Sequence, residues 1–146
     1  MRDALEVNPT GTDHVPRGAA KLAAGGELNE AVARAVVGIH RDVVGRGPTK
    51  AHAFFRGNVV VVVLNEVMTT GERTLVARGR HDVASRMRRE LHETMRSDLG
   101  LAIEQLTGAA VDALILDSDV GADTSVALFV LDRPVTARLR ALARGR

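Results

Sequence analysis

The feature that most constrains the fold is an uninterrupted apolar run, Val-Val-Val-Val-Val-Leu, at residues 59–64. Valine is β-branched and favours extended backbone, so the run predicts a β-strand. It is far shorter than the ~20 apolar residues that a membrane-spanning helix needs. Because successive strand residues point to opposite sides of a sheet, this strand is apolar on both faces. We therefore expect it to occupy a central position in a sheet.

The sequence predicts two hairpins, one that includes this run and one near the carboxyl end of the chain. Gly57-Asn58 is a typical hairpin turn, and residues 49–56 before it alternate polar with apolar side chains, which is typical of an edge strand. Residues 111–117 and 125–131 form a second extended pair around an acidic loop at residues 117–124, and the later strand is again apolar on both faces. With the two doubly apolar strands inside, the expected strand order is 1-2-4-3.

Three helices are predicted around the strands. Apolar residues recur at three and four positions from Leu28 to Val43, and Gly45-Arg46-Gly47-Pro48 ends this first helix. Thr69 and Glu72 have the spacing of a capping box, which opens a short helix. Residues 80–107 hold the longest helical pattern, with an apolar stripe made by Val83, Met87, Leu91, Met95, Leu99, Ala102, Ile103 and Leu106. The fold class is therefore α+β, with a four-stranded, mainly antiparallel sheet.

Length and composition predict one domain with two flanking segments. The 146 residues match a single domain, which we place at residues 27–133. Residues 1–26 mix Pro, Gly and charges and predict a flexible arm, and residues 134–146 form a basic tail without an acid. No apolar leader follows Met1, so the expected location is the cytoplasm.

Several kinds of site are excluded or disfavoured. The chain has no cysteine, which excludes disulfides and thiolate ligands. His92-Glu93 resembles half of a zinc-protease motif, but Arg96 stands where the second histidine is needed. The acidic loop lacks the calcium-loop ligands, with Gly121 and Ala122 at the fifth and sixth positions. We therefore expect no cofactor and no tightly bound metal.

The basic residues are candidates for contact with an anion or a partner. The net charge is only +2, and the three aromatic residues are all Phe, which argues against stacking on single-stranded nucleic acid. The pairs Asp82→Arg86 and Arg89→Glu93 also dilute the positive field along the long helix. The anion or partner candidates are Arg46, Lys50, Arg78, Arg89 and Arg96.

The apolar stripe of the long helix predicts self-association. About 25 residues at ~1.5 Å each make a rod that outruns the neighbouring sheet, and an exposed stripe usually marks an interface. The expected state is a homodimer, with Met87, Leu91 or Met95 near its interface.

Residues 28–133 resemble the MpsC-like family, named for a component of a Na+-translocating, membrane-potential-generating system. The resemblance depends on ordered pieces. They are Gly45-Arg46-Gly47-Pro48 after the first helix, Met68-Thr69-Thr70-Gly71-Glu72-Arg73-Thr74-Leu75 where the family shows L-T-x-x-E-x-x-L, Ile103-Glu104-Gln105-Leu106-Thr107-Gly108, and Leu128-Phe129-Val130-Leu131-Asp132-Arg133. The family implies a link to a membrane system for cation translocation or inorganic-carbon uptake, and it supplies no catalytic residues.

Three functional hypotheses follow. The first is a small, soluble, non-enzymatic accessory protein, a cytoplasmic homodimer that binds a membrane protein of an ion-translocating system and is held peripherally at the membrane by that partner. The second is a sensor that binds an anion or a small molecule. The third is a weak nucleic-acid-binding protein that uses the arginine-rich helix and the tail. The sequence shows no acid–base pair and no nucleophile in the context that catalysis needs, so we expect no enzymatic activity.

Overall fold

The structure, a computed structural model, describes residues 19–135, with side chains from residue 25 onward. Residues 1–18 and 136–146, most of the predicted arm and tail, lie outside the described residues. In chain order the elements are α1 (Ala19–Val44), β1 (Lys50–Arg56), β2 (Val59–Asn65), α2 (Thr70–Ala77), α3 (His81–Thr107), β3 (Val111–Asp119) and β4 (Thr124–Leu131). The described part of the chain is therefore an α+β fold, as predicted.

The four strands form one antiparallel sheet in the order β1-β2-β4-β3. This confirms the order that we predicted by placing the doubly apolar strands inside. Gly57 has a φ of 59° at the β1–β2 turn, while Asn58 is not among the residues with positive φ. The turn therefore needs the conformational freedom of glycine at its first central position.

The helices cover one face of the sheet, which we call the inner face. α1 packs on β1 and β2, α3 packs on β3 and against α1, and α2 packs against α3. Every second side chain of the central strands points into this layer and is buried. These inner-face residues are Val60, Val62, Leu64, Ser125, Ala127, Phe129 and Leu131.

The opposite face, which we call the outer face, has no helix of the described residues packed on it. At the two edge strands Phe54 is 51% exposed and Ile115 is 58% exposed. The strand register places the outer-face residues in four rows, and each row has one residue from β1, β2, β4 and β3 in that order. The rows are Arg56, Val59, Val130 and Ala113; Phe54, Val61, Leu128 and Ile115; His52, Val63, Val126 and Asp117; and Lys50, Asn65, Thr124 and Asp119.

The helix bounds differ from the sequence pattern in one place. α1 begins at Ala19, inside the stretch that we assigned to the arm, whereas the apolar period predicts a start at Leu28. Residues 19–24 read Ala-Ala-Lys-Leu-Ala-Ala, and these are strong helix formers that need no apolar stripe. Its end is as predicted, since Gly45 has a φ of 87°.

The amino-terminal half of α3 buries a different stripe from the predicted one. Ala84, Arg88 and His92 are buried there, while Met87 is 43% exposed and Leu91 is half-buried. From Met95 onward the predicted apolar positions Met95, Leu99 and Ile103 are buried. The stripe differs because polar side chains with partners inside the chain take the core positions of the first turns.

Candidate functional site

A buried ion pair links the two carboxyl-terminal helices of the helical layer. Arg88 of α3 is 1% exposed, and Glu72 of α2 is fully buried. The Nε of Arg88 lies 2.7 Å from Oε1 of Glu72 in an ion pair, and Nη2 donates a hydrogen bond to Oε2 at 2.8 Å. A two-point contact between a guanidinium and a carboxylate fixes both position and angle.

Glu72 also completes the amino-terminal cap of α2. Its Oε2 accepts hydrogen bonds from the backbone N of Thr69 at 2.7 Å and from Oγ1 of Thr69 at 2.9 Å. In return, the backbone N of Glu72 donates to Oγ1 of Thr69 at 3.3 Å. The predicted capping box is therefore confirmed, and the same carboxylate serves both the cap and the ion pair.

His40 of α1 is the third member of this group. Nη1 of Arg88 lies 3.1 Å from Nε2 of His40, and Nδ1 of His40 lies 3.4 Å from the carbonyl oxygen of Arg46. A guanidinium has only donors, so Nε2 must accept and Nδ1 carries the hydrogen. Burial, and then the charge of Arg88, lowers the pKa of His40 to about 4, so the ring is neutral at pH 7. The imidazole ring is 2% exposed and lies at the edge of the apolar stripe of α1. We call His40, Glu72 and Arg88 the buried network.

Three side chains hold the loop between β2 and α2 through four more hydrogen bonds. Nη2 of Arg88 donates to the carbonyl oxygen of Val67 at 2.8 Å, and Nη1 of Arg46 donates to that of Met68 at 3.0 Å. Oδ1 of Asp123, from the β3–β4 turn, accepts hydrogen bonds from the backbone N of both Val67 and Met68 at 2.9 Å. Asp123 therefore joins the β3–β4 turn to the β2–α2 loop.

The buried network ties α1, α2 and α3 together, and it leaves little for chemistry. Both oxygens of Glu72 and both terminal nitrogens of Arg88 are engaged within the chain. Arg88 stands in the arginine-rich stretch of the long helix, yet its side chain is buried. A signal was available, because Arg88 lies four residues from both Ala84 and His92, on the helical face that continues to Met95.

A groove of about 390 Å³ lies beside the network, between α3 and β3. His92 and Ser118 are brought together there, with Nε2 of His92 3.2 Å from Oγ of Ser118. Oγ of Ser118 also lies 2.6 Å from Oγ of Ser125. The groove is lined by Ser85, Arg88, Arg89, His92, Asp117 and Ser118.

This serine–histidine pair lacks the third group of a nucleophilic triad. Nδ1 of His92 has no hydrogen-bond partner among the described residues, so no carboxylate orients the ring. Burial, and then the charge of Arg88, lowers the pKa of His92. The pair was missed from sequence because His92 and Ser118 lie on different elements with no motif between them.

The predicted basic residues do not gather into one site. Arg46 holds the β2–α2 loop, Lys50 begins the edge strand β1, and Arg78 is the C-cap of α2. Arg96 donates to the carbonyl oxygen of Leu114 at 2.6 Å and pairs with Glu93 at 3.2 Å, so it fastens α3 to the edge strand β3. Of the five candidates only Arg89 lines the groove.

The residues proposed for a dimer interface differ in exposure. Met87 is exposed and Leu91 is half-buried, whereas Met95 is 2% exposed and belongs to the core. Among the described residues, two other exposed large apolar side chains, Phe54 and Ile115, lie on the outer face instead. In residues 25–135 no three His, Asp or Glu side chains converge as metal ligands. None of the helices in the described range is both long and apolar enough to cross a bilayer.

Comparison with known proteins gives one match. The model of a family described as Na+-translocating membrane potential-generating system (MpsC) matches residues 24–133, about three-quarters of the chain. The matched range includes every strand, the buried network and the groove. No curated protein and no solved structure gives a significant match.

Proposed function

The chain belongs to the MpsC family, and we propose that it is a non-catalytic accessory protein of a Na+-translocating, membrane-potential-generating system. In this proposal it is a cytoplasmic homodimer that works through contact with a membrane protein of that system. The link to this system rests on the family match, and the mode of action is argued from the geometry of the described residues.

The observation that carries the mode of action is the uncovered outer face. Phe54 and Ile115 are each more than half exposed, and the row between them is completed by Val61 and Leu128. A contiguous exposed apolar patch rimmed by charges is typical of a protein contact site. A surface of this kind favours a binding role, which in this proposal is the contact between the two copies of the homodimer.

The engaged polar groups support a role without catalysis. An acid–base catalyst needs a titratable group that is free to exchange a proton with a substrate. His40 accepts from Arg88, and Glu72 is held by Thr69 and Arg88, so both groups already serve the fold. Within the part of the chain that the structure describes, Nδ1 of His92 has no hydrogen-bond partner and no acid orients the ring.

The decisive experiment is genetic complementation with a voltage readout. Deleting the gene should lower the Na+-dependent membrane potential, measured with a potential-sensitive dye, and the wild-type chain should restore it. Leu128→Glu on the outer face should fail to restore the potential. Ser118→Ala in the groove should restore it, because the groove has no catalytic task in this proposal.

A matched control separates contact from general surface damage. Leu101 is 55% exposed on α3, away from the sheet, so Leu101→Glu should complement as well as the wild type does. An unchanged potential in the deletion strain would contradict the link to the system. Loss of function in Ser118→Ala with function kept in Leu128→Glu would contradict the contact role and favour the groove.

Membrane attachment gives an independent test. In cells that hold the complete system, a part of the chain should sediment with the membrane fraction after brief cross-linking. Removing the membrane component of the system should release it to the soluble fraction. Equal distribution in both strains would contradict contact with that membrane protein.

A further inference from the structure

We propose that the outer face packs against the outer face of a second copy of this chain, around a two-fold axis that runs parallel to the strands. The inference places the interface on the sheet and not on the predicted stripe around Met87, Leu91 and Met95. It deepens the proposed function, in which the chain is a homodimer, by assigning the outer face to the contact between the two copies, so that the membrane protein contacts the dimer elsewhere. The mass of the isolated protein tests this interface separately from the membrane potential.

The central strands need cover on both sides. In an antiparallel sheet with one solvated face, the strands alternate apolar with polar residues. Here β2 and β4 do not alternate, because their outer-face residues are apolar except for Asn65 and Thr124 at one end. The six apolar positions of these strands are Val59, Val61, Val63, Val126, Leu128 and Val130.

The outer face has the dimensions of a small protein contact. Four strands ~4.8 Å apart, with about seven residues at ~3.3 Å each, cover on the order of 20 by 20 Å, so two facing copies contribute about 800 Å² of projected area. This places the contact at the small end of protein–protein interfaces. Two such faces would stack ~10 Å apart, as the sheets of a β-sandwich do.

The charges at the two edges point to a second copy as the occupant. The edge strand β1 carries Lys50, His52 and Arg56 on the outer face, and no acid. The opposite edge strand β3 carries Asp117 and Asp119 on that face, and no base. A surface with one basic and one acidic edge is complementary to itself when the partner is turned around.

Only one of the two in-plane axes uses this complementarity. An axis parallel to the strands lays β1 of one copy over β3 of the other and keeps each row in place. Lys50 then faces Asp119 of the second copy, His52 faces Asp117, and Phe54 faces Ile115. An axis across the strands lays β1 over β1, so that Lys50 faces Arg56. That arrangement brings like charges together, which disfavours it.

The first test is the mass of the full chain in solution. Light scattering at micromolar concentration should give twice 15.6 kDa. Leu128→Glu and Ile115→Glu should each give the monomer mass with an unchanged circular dichroism spectrum, since both positions face away from the core. Leu101→Glu on α3 should remain dimeric. A monomeric wild-type chain, or a dimer that persists in both outer-face variants, would overturn the proposal.

The second test determines the axis. Lys50→Glu alone and Asp119→Lys alone should each weaken the homodimer about tenfold at low salt, because two edge contacts become repulsive. Mixing the two variants should give a heterodimer at about wild-type affinity, since each chain then supplies the charge that the other lacks. If the mixture dissociates as readily as either variant, the axis parallel to the strands is wrong. Adding Ile115→Glu to one of the two variants should abolish the heterodimer, which would show that the recovered affinity depends on the outer face.

Discussion

Arg88 and Glu72 face each other in the core of the helical layer, with Nε of the arginine 2.7 Å from Oε1 of the glutamate and neither side chain more than 1% exposed. Three residues before Glu72, Thr69 shares the same carboxylate. This relationship places a full ion pair inside the helical layer, and the first prediction about stability follows from it.

Replacing Arg88 with Met should destabilise the protein by about 3–5 kcal/mol, because the buried carboxylate of Glu72 loses its partner. The double variant Arg88→Met with Glu72→Gln should recover a part of this loss, since it leaves no buried charge. Urea denaturation followed by circular dichroism measures both free energies of unfolding. Arg86→Met, at an exposed position of the same helix, is the control and should change the free energy by less than about 0.5 kcal/mol. Additive losses in the double variant would contradict the ion-pair interpretation.

The free energy of unfolding should fall as the pH drops from about 6.5 to about 4, because of His40. Its pKa is about 4 in the folded chain and 6.5 as the ordinary value, so the unfolded chain takes up the proton first. The stabilising contribution is complete above pH 6.5 and amounts to about 3 kcal/mol by linkage. His92, whose pKa is also lowered, adds to the same trend.

His40→Gln tests this pH dependence. Glutamine can still accept from Arg88 but does not titrate, so the slope of stability against pH between these values should become shallower than in the wild type. Carboxylates titrate in both proteins and cancel in the comparison. Equal slopes in the two proteins would show that His40 is not the group that binds the proton.

Asp123→Ala should destabilise the protein by about 2 kcal/mol, because the backbone N–H groups of Val67 and Met68 lose their shared acceptor. Asp112→Ala, at an exposed position of the same hairpin, should have little effect. The measurement is again urea denaturation. A loss in Asp123→Ala no larger than in the control would mean that the turn does not hold the β2–α2 loop.

Gly57→Val should cost on the order of 1 kcal/mol or more, because a β-branched residue is strained at a φ of 59°. No atom lies within 4 Å of the added Cβ, so strain and not a clash carries the effect. Gly38→Ala is the comparison, since it adds a methyl group without contacts inside α1 and should stabilise by about 0.5–1 kcal/mol. Thermal melting measures both effects: the melting midpoint should fall for Gly57→Val and rise for Gly38→Ala.

The sheet could be predicted almost completely because its signals are local. The glycine at the β1–β2 turn and the doubly apolar runs each act over a few residues, and together they indicate the strand order. The start of α1 lies earlier than the pattern indicates, since residues 19–24 contribute helix propensity without an apolar period.

The buried network could be predicted only in part. His40 stands at the edge of the apolar stripe of α1, so its burial can be inferred from spacing. Arg88 looks like a surface cation in a basic stretch, and its acid lies sixteen residues earlier on another helix. The meeting of His92 and Ser118 depends on how α3 lies along β3, which periodicity does not specify.

The carboxylate of Glu72 also has a consequence for cooperativity. A single atom, Oε2, accepts hydrogen bonds from the start of α2 and from the guanidinium of α3. The first turn of α2 therefore cannot fray without exposing the charge of Arg88 to an apolar interior. Amide hydrogens of this eight-residue helix should exchange with solvent at the slow rate of α3, and not at the fast rate that is usual for a short peripheral helix.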